Sequence, residues 1–356
     1  MTKPLFTWAG GKNKMITKYK EAELFPSSVD SYIEPFFGGG AMYIHVKKNN
    51  PKAKCIINDI NPSIVAIYES IKSDYKTFCD VAFRLEEEYM KIPAPIPYSR
   101  KAERKIETAK SKEVEGKYKY NYEYEEDGNK KSFIRYDWNQ IHNEHPTRRS
   151  FYFKVRDQLA WKSDSWSKTF EAGVLYFLMK TGFNGVWQVN RNTNNKFGTP
   201  FGLGNQKDKV YDRDVLEWWH QALQDTVILS MDYESVVEEW AKKDSFVFMD
   251  PPYRDSFTQY DTNFNDNEQE RVIKCLQHCK DIGALGWLSN RDCGDNYFED
   301  RWDKDDIKYF DVTYTVGRRK KTGTKKQVVV WFGFKKEIEK EIFEAKPARE
   351  VLLVTK

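Results

Sequence analysis

Cysteine is scarce in this 356-residue chain: five residues, at positions 55, 79, 275, 279 and 293. An odd number at those spacings makes no disulfide framework, and a reducing compartment suits it better. Cys275, His278 and Cys279 fall close together on an expected helix, but no second ligand pair stands at zinc spacing, so no metal is expected. Long apolar runs are missing too. None reaches the length of a membrane span, and residues 1–14 lack the apolar stretch of a secretory signal, which points to a cytoplasmic protein. A surplus of one charge is absent: 58 Lys and Arg face 54 Asp and Glu, for a net +4. Composition therefore does not demand a nucleic acid, although local basic runs could still build a phosphate-binding face.

Aromatic residues, by contrast, reach 15% and apolar residues 40%, enough for a sizeable core beneath a highly polar surface. The most informative segment is Asp250-Pro251-Pro252-Tyr253. It follows the apolar run 245–249, which reads as a buried strand. The carboxylate accepts from N–H groups, the proline after it offers a rigid carbonyl with no competing donor, and the tyrosine ring stacks. At a strand mouth, that set suits gripping the exocyclic amine of a nucleobase drawn out of its helix. The same four residues also suit an ordinary strand-to-turn stop, so the rest of the chain must decide.

Residues 31–34 read as a strand leading into Pro35-Phe36-Phe37-Gly38-Gly39-Gly40, after which Ala41 opens a helix. Such a turn lets the backbone approach a ligand at the carboxyl end of a parallel strand. It is not the spaced GxGxxG of dinucleotide proteins, and no phosphate-loop Lys-Ser/Thr follows, so nucleoside triphosphates fit poorly. Residues 55–58 form the next strand. Asp59 closes it, placed to accept from ribose hydroxyls or to cap the helix after Asn61-Pro62. A helical pattern then runs towards Met90 along Ile64, Ile67, Ile71, Phe78, Val81 and Leu85. Residues 93–150 are dense in Lys, Glu and Tyr. Tyr118, Tyr120, Tyr122 and Tyr124 alternate with polar residues, which fits a one-sided strand or a mobile insertion equally.

Further helices are expected at 173–180, 233–243 (capped by Asp232) and 269–280. Strands are expected at 227–231, 283–290, 307–314 and 327–334, with an Asn- and Gly-rich loop or hairpin over 181–204. Strands alternating with helices at both ends of a foreign segment predict an α/β sheet interrupted by an insertion. The expected division is a first part of the sheet core at 1–92, a middle part at 93–226 with its Tyr-rich insertion at 93–150, and a second part of the core at 227–356.

Several segments follow one another along most of the chain. Phe6-Thr7-Trp8-Ala9-Gly10-Gly11-Lys12 comes first, then Glu34 to Gly40 and Asn58-Asp59-Ile60-Asn61. Tyr152 to Arg156, Gly182-Phe183-Asn184-Gly185, Asn190-Arg191 and Phe197 to Gly202 come next. Asp250 to Tyr253 and Ser289-Asn290-Arg291-Asp292 complete the series. In that order and number they resemble DNA adenine N6-methyltransferases of the Dam type, the D12 class. The resemblance implies a Rossmann-like methyltransferase sheet with helices on both faces, interrupted by a target-recognition insertion. It implies S-adenosylmethionine as cofactor, double-stranded DNA as partner, and a bacterial or phage-infected cell as setting. Trp8, Lys12, Asp59 and Asp250 carry over as cofactor contacts, with Phe36 and Gly38 lining the same pocket. Asp250, Pro251, Pro252 and Tyr253 carry over as the catalytic motif.

Asn184, Gln188, Asn190 and Arg191 crowd one loop with Asn192 and Asn194. Amides and guanidinium groups read base edges, and the same residues serve ordinary turns. Members that read GATC usually carry Arg where this chain has Gln188; Arg suits guanine and Gln suits adenine, so GATC is not assigned. Arg318, Arg319, Lys320 and Lys325 cluster about a Thr-Gly-Thr turn, as a phosphate clamp or a solvated loop. Other readings stay open: cytosine N4 or RNA as target, a carboxylated donor neutralised by Arg254, or a catalytically silent DNA-binding module.

Overall fold

The computed structural model describes residues 2–8, 11–97, 99–202, 208–254, 264–312 and 325–333. Helix α1 (Asn13–Glu21) precedes β1 (Ser31–Glu34), α2 (Ala41–Asn49), β2 (Lys54–Asn58), α3 (Pro62–Ser73) and α4 (Tyr75–Met90). The middle of the chain holds α5 (Lys101–Lys117), β3 (Lys119–Glu126), β4 (Asn129–Tyr136), α6 (Trp138–Glu144), α7 (Arg148–Lys162), α8 (Lys168–Thr181) and α9 (Arg213–Leu223). The remainder is β5 (Val227–Leu229), α10 (Tyr233–Trp240), β6 (Phe246–Met249), α11 (Asp266–Asp281), β7 (Leu285–Arg291), β8 (Ile307–Val312) and β9 (Lys325–Phe332).

Seven strands form one sheet in the order β5-β2-β1-β6-β7-β9-β8. The five from β5 to β7 are parallel, and β9 runs antiparallel to β7 and β8. Parallel neighbours need crossover connections, so helices fill the intervals and cover both faces. The strands accordingly read as continuous apolar runs. Successive residues point to opposite faces. Tyr32, Cys55, Ile57, Phe246, Phe248 and Trp287 enter one core with Tyr43 of α2, Ile64 and Ile67 of α3, and Trp219 of α9. Ile33, Ile56, Val247, Met249, Leu288 and Val330 enter the other, closed by Val236 and Val237 of α10 and by Leu276 and Cys279 of α11. This is the Rossmann-like methyltransferase architecture expected from the sequence.

Two segments differ from the sequence reading. The helical pattern towards Met90 is two helices broken at Asp74, whose φ of −139° and ψ of 51° leave the helical region. The apolar spacing runs on unbroken because α3 and α4 both pack against α8. The Tyr-rich insertion is an ordered hairpin preceded by a helix, α5, that the sequence did not suggest. β3 and β4 pair antiparallel, with Tyr122 opposite Phe133. Tyr122 lies 5.1 Å from the Trp161 ring of α7. Arg135 stacks 4.1 Å from that same ring and bonds Asp157 at 2.9 Å. The hairpin is thereby docked on α7.

The carboxyl ends of β2, β1 and β6 lie side by side, and Asp59, the Phe36–Gly38 turn and Asp250 follow them directly. Arg318, Arg319 and Lys320 lie outside the described residues. The backbone of Lys325 opens β9 opposite Val312.

Candidate active site

The glycine turn after β1 is built by its neighbours. Phe37 N–H donates to the Asn58 carbonyl at 2.9 Å. Gly38 N–H donates to Asp59 Oδ2 at 2.9 Å, while Asp59 Oδ1 accepts from Asn61 N–H at 2.9 Å. Asp59 therefore shapes the turn. A carboxylate has about four acceptor sites, so capacity for hydroxyl donors remains. Burial pushes its carboxyl up, and the two backbone N–H groups pull it back. Gly38 holds a φ of 49° beneath the Trp8 indole, a conformation and a clearance that only glycine meets. Phe36 is half-buried, 4.8 Å from the Tyr233 ring and 6.1 Å from that of Phe264. Beside Asp59, Ile60 leaves 59% of its surface exposed. Sequence reading passed over this apolar side chain, although it stands within the Asn58-Asp59-Ile60-Asn61 segment.

β6 is buried throughout, and Asp250 follows it directly. Lys12, buried at the start of α1, donates its ammonium to Asp250 Oδ2 and sits 5.1 Å from the Tyr253 ring centroid. Among the described residues, none forms a hydrogen bond with the other oxygen, Oδ1, which is buried. Burial pushes the Asp250 carboxyl up; Lys12 and the Tyr253 hydroxyl pull it back. Leaving a buried acceptor unmet costs about 1–3 kcal/mol, so Oδ1 has capacity for one further donor. The structure thus places Lys12, expected at the cofactor, on the carboxylate of the catalytic motif. Behind Asp250, Glu34 is fully buried and accepts from the Tyr32 hydroxyl at 2.8 Å. Burial pushes its carboxyl well above the usual range.

Two glutamines that sequence reading did not single out brace the motif. Gln327, buried on β9, donates to the Tyr253 hydroxyl at 2.9 Å and accepts from the Tyr19 hydroxyl at 3.1 Å. Gln269 of α11 donates to the Pro252 carbonyl at 2.8 Å. Arg254, considered for a carboxylated donor, is engaged elsewhere: it bonds Asp295 at 2.9 and 2.6 Å and stacks 3.8 Å from the Tyr297 ring. Among the described residues no group of three or more His, Cys, Asp or Glu could hold a metal ion. No described helix is long and apolar enough to cross a membrane.

Residues 182–202 form a loop closed by the bridges Gly182 to Phe201 and Val189 to Phe197. From α7, Arg156 donates to the Gly198 and Thr199 carbonyls at 3.0 and 3.1 Å, and Tyr152 to Thr199 at 2.8 Å. The loop rests on the amino-terminal segment. Trp187 lies 6.3 Å from Trp8, and at Gly185 (φ 63°) a Cβ would stand 2.3 Å from the Thr7 carbonyl oxygen. Asn184 is exposed with a φ of 52°, and Phe183 beside it is 46% exposed. Gln188 is half-buried, with its carbonyl accepting from Gly198 N–H at 2.7 Å. The Asn190 side chain packs against Gly198. Arg191 reaches out of the loop to the inserted hairpin, bonding Glu126 at 3.0 and 2.9 Å and the Tyr124 hydroxyl at 3.1 Å.

The model of the D12 class N6 adenine-specific DNA methyltransferase family matches residues 8–316. The chain belongs to that family. It is 27% identical over 299 residues to the Type II methyltransferase M.MjaIII of Methanocaldococcus jannaschii, covering 81% of this chain and 84% of that one. It is 26% identical over 311 residues to the Type II methyltransferase M.CviBI of Paramecium bursaria Chlorella virus NC1A, covering 85% and 90%. A DNA adenine methylase of Haemophilus influenzae is 25% identical over 300 residues, covering 82% and 80%. This adenine-specific DNA methyltransferase therefore carries its glycine turn, Asp59 and Asp250 on three adjacent strand ends of the sheet.

Proposed function

We propose that the chain transfers a methyl group from S-adenosylmethionine to N6 of an adenine swung out of double-stranded DNA, at a specific sequence. The observation that carries this reading is the buried, unpartnered Oδ1 of Asp250 at the mouth of β6, next to the Tyr253 ring. Adenine N6 is a poor nucleophile because its lone pair is conjugated into the ring. Asp250 Oδ1 accepts one N–H of the amine and the Pro251 carbonyl accepts the other, which draws the nitrogen towards tetrahedral geometry. Tyr253 stacks on the extruded base, and the Pro252 ring keeps the turn rigid. Lys12 keeps Asp250 ionised until the base arrives. Alignment of this kind supplies roughly 7–11 kcal/mol, and the carboxylate stabilises the positive charge that develops on the amine. As the N–C bond forms the donor's S–C bond breaks to leave a neutral thioether, and the extra proton then passes from the nitrogen to solvent.

S-adenosylmethionine supplies an electrophilic methyl group when bound. Trp8, Phe36, Gly38 and Asp59 would hold it, with Lys12 and Asp250 at the reacting end. The fit rests on a glycine turn no side chain could share, a carboxylate with acceptor capacity left, and the exposed Ile60 beside it. On the DNA side, residues 93–226 read the target through Asn184, Gln188, Asn190 and Arg191, and Arg318, Arg319, Lys320 and Lys325 contact phosphates.

The test is mass analysis of nucleosides from DNA incubated with isotopically labelled donor. Labelled N6-methyladenine is expected from the wild type. Asp250→Ala, folded as judged by circular dichroism, should lose at least about 10²–10³-fold in rate. Labelled N4-methylcytosine, or an undiminished rate in Asp250→Ala, would overturn the reading.

A further inference from the structure

We propose that Gln269 and Asn290 are positioning residues that reserve the Pro251 carbonyl for the target amine. The inference rests on the transfer reaction proposed above. The loop after β6 presents two neighbouring proline carbonyls, and both are strong acceptors. Which of them meets an incoming amine depends on which is already satisfied. The Pro252 carbonyl is taken by Gln269 Nε2 at 2.8 Å. Among the described residues, none donates to the Pro251 carbonyl.

The direction of this network is dictated from its far end. Arg254 N–H and Arg291 N–H reach Asn290 Oδ1 at 3.0 and 2.8 Å. Backbone N–H groups only donate, so the Asn290 amide must present its oxygen to them and its nitrogen elsewhere. That nitrogen donates to Gln269 Oε1 at 3.0 Å. Gln269 must then turn its own NH2 to Pro252. Neither amide can flip without setting two donors or two acceptors face to face. Both side chains are buried, at 3% and 1% exposure. Gln269 comes from α11 and Asn290 from β7. Two rigid elements thus clamp the same loop from different directions, and the catalytic aspartate and its proline stand just before the clamp. Neither residue touches the reacting atoms; they decide which carbonyl does.

The test uses the full chain, a duplex with 2-aminopurine at the target adenine to report extrusion of the base, and single-turnover methyl transfer on the unmodified duplex. Gln269→Met removes the donor to Pro252 at similar side-chain volume. Its transfer rate should fall about 10²-fold, the scale for a small misplacement of reacting groups. Donor affinity and 2-aminopurine emission should stay at wild-type values. If Gln269→Met does not fold, Asn290→Asp carries the same expectation. It keeps an acceptor for the two backbone N–H groups and sets a carboxylate oxygen against Gln269 Oε1, which turns the Gln269 NH2 away from Pro252. A transfer rate indistinguishable from wild type overturns the proposal. So does a loss shared equally by rate, donor affinity and emission, which marks a merely structural role. A wild type that labels no adenine overturns the parent reading and takes this inference with it. A labelling wild type with an unimpaired variant overturns the inference alone.

Discussion

A Cβ on Gly38 would lie 2.5 Å from Trp8 Nε1, at a φ of 49°. The amino-terminal segment and the glycine turn after β1 are thus interlocked at one position. Gly38→Ala should suffer twice: the left-handed backbone costs roughly 1–2 kcal/mol for a residue with a side chain, and the indole must also move. A lower Tm and weaker S-adenosylmethionine binding are expected, by thermal melting and calorimetric titration. Donor affinity equal to wild type would show that the turn is not part of the donor site.

The Lys12 to Asp250 pair makes a prediction about pH. In the proposed reaction Asp250 acts ionised, so activity should be lost as pH falls through its pKa. Burial raises that pKa and Lys12 opposes the rise. In Lys12→Met the opposition is gone, and the acid limb of kcat/KM should move to higher pH. The pH profile of initial methyl-transfer rates checks this. An unmoved limb would mean that Lys12 does not act through the carboxylate.

Glu34 links pH to stability. Its folded pKa is pushed above the unfolded value, chiefly by burial. Such a group contributes stability that is fully present below the unfolded pKa and is lost as pH rises through the folded pKa. Glu34→Gln keeps an acceptor for the Tyr32 hydroxyl and removes the titration. The Tm of the variant minus that of wild type should therefore increase as pH is raised above the ordinary carboxylate range. Melting scans across pH that show a constant difference would contradict it.

Gln188 concerns the choice of sequence. If its amide reads an adenine edge, Gln188→Arg should shift preference at one position of the site towards guanine, by about 1–3 kcal/mol. Sequencing modified bases in DNA from cells expressing either form reads out both contexts. Identical contexts would remove Gln188 from the base-reading set.

The strand ends carrying Glu34, Asp59 and Asp250 are legible because parallel strands buried on both faces are short apolar runs that stop abruptly at polar residues. Other features leave no local mark. The break at Asp74 is hidden because α3 and α4 share one apolar seam against α8. Helix α5 is hidden because only Val114 along it is buried, so its composition resembles a solvated tract. Gln269 sits among charged neighbours and Gln327 follows two lysines, settings where a glutamine ordinarily faces water. Their partners, Pro252 and Tyr253, are supplied by tertiary structure alone. The destination of Lys12 is equally non-local. The resemblance places Lys12 at the cofactor, and its ammonium bonds a carboxylate far along the chain.

The contact of Gly185 with the Thr7 carbonyl has a practical consequence for engineering. The 182–202 loop of a relative, once transplanted, would arrive shaped for that relative's own amino-terminal segment. Chimeras that exchange only 182–202 should misseat against the native amino terminus, whereas those that also exchange residues 5–8 preserve the mating surface. Exchanging this loop thus means moving two distant stretches of chain together.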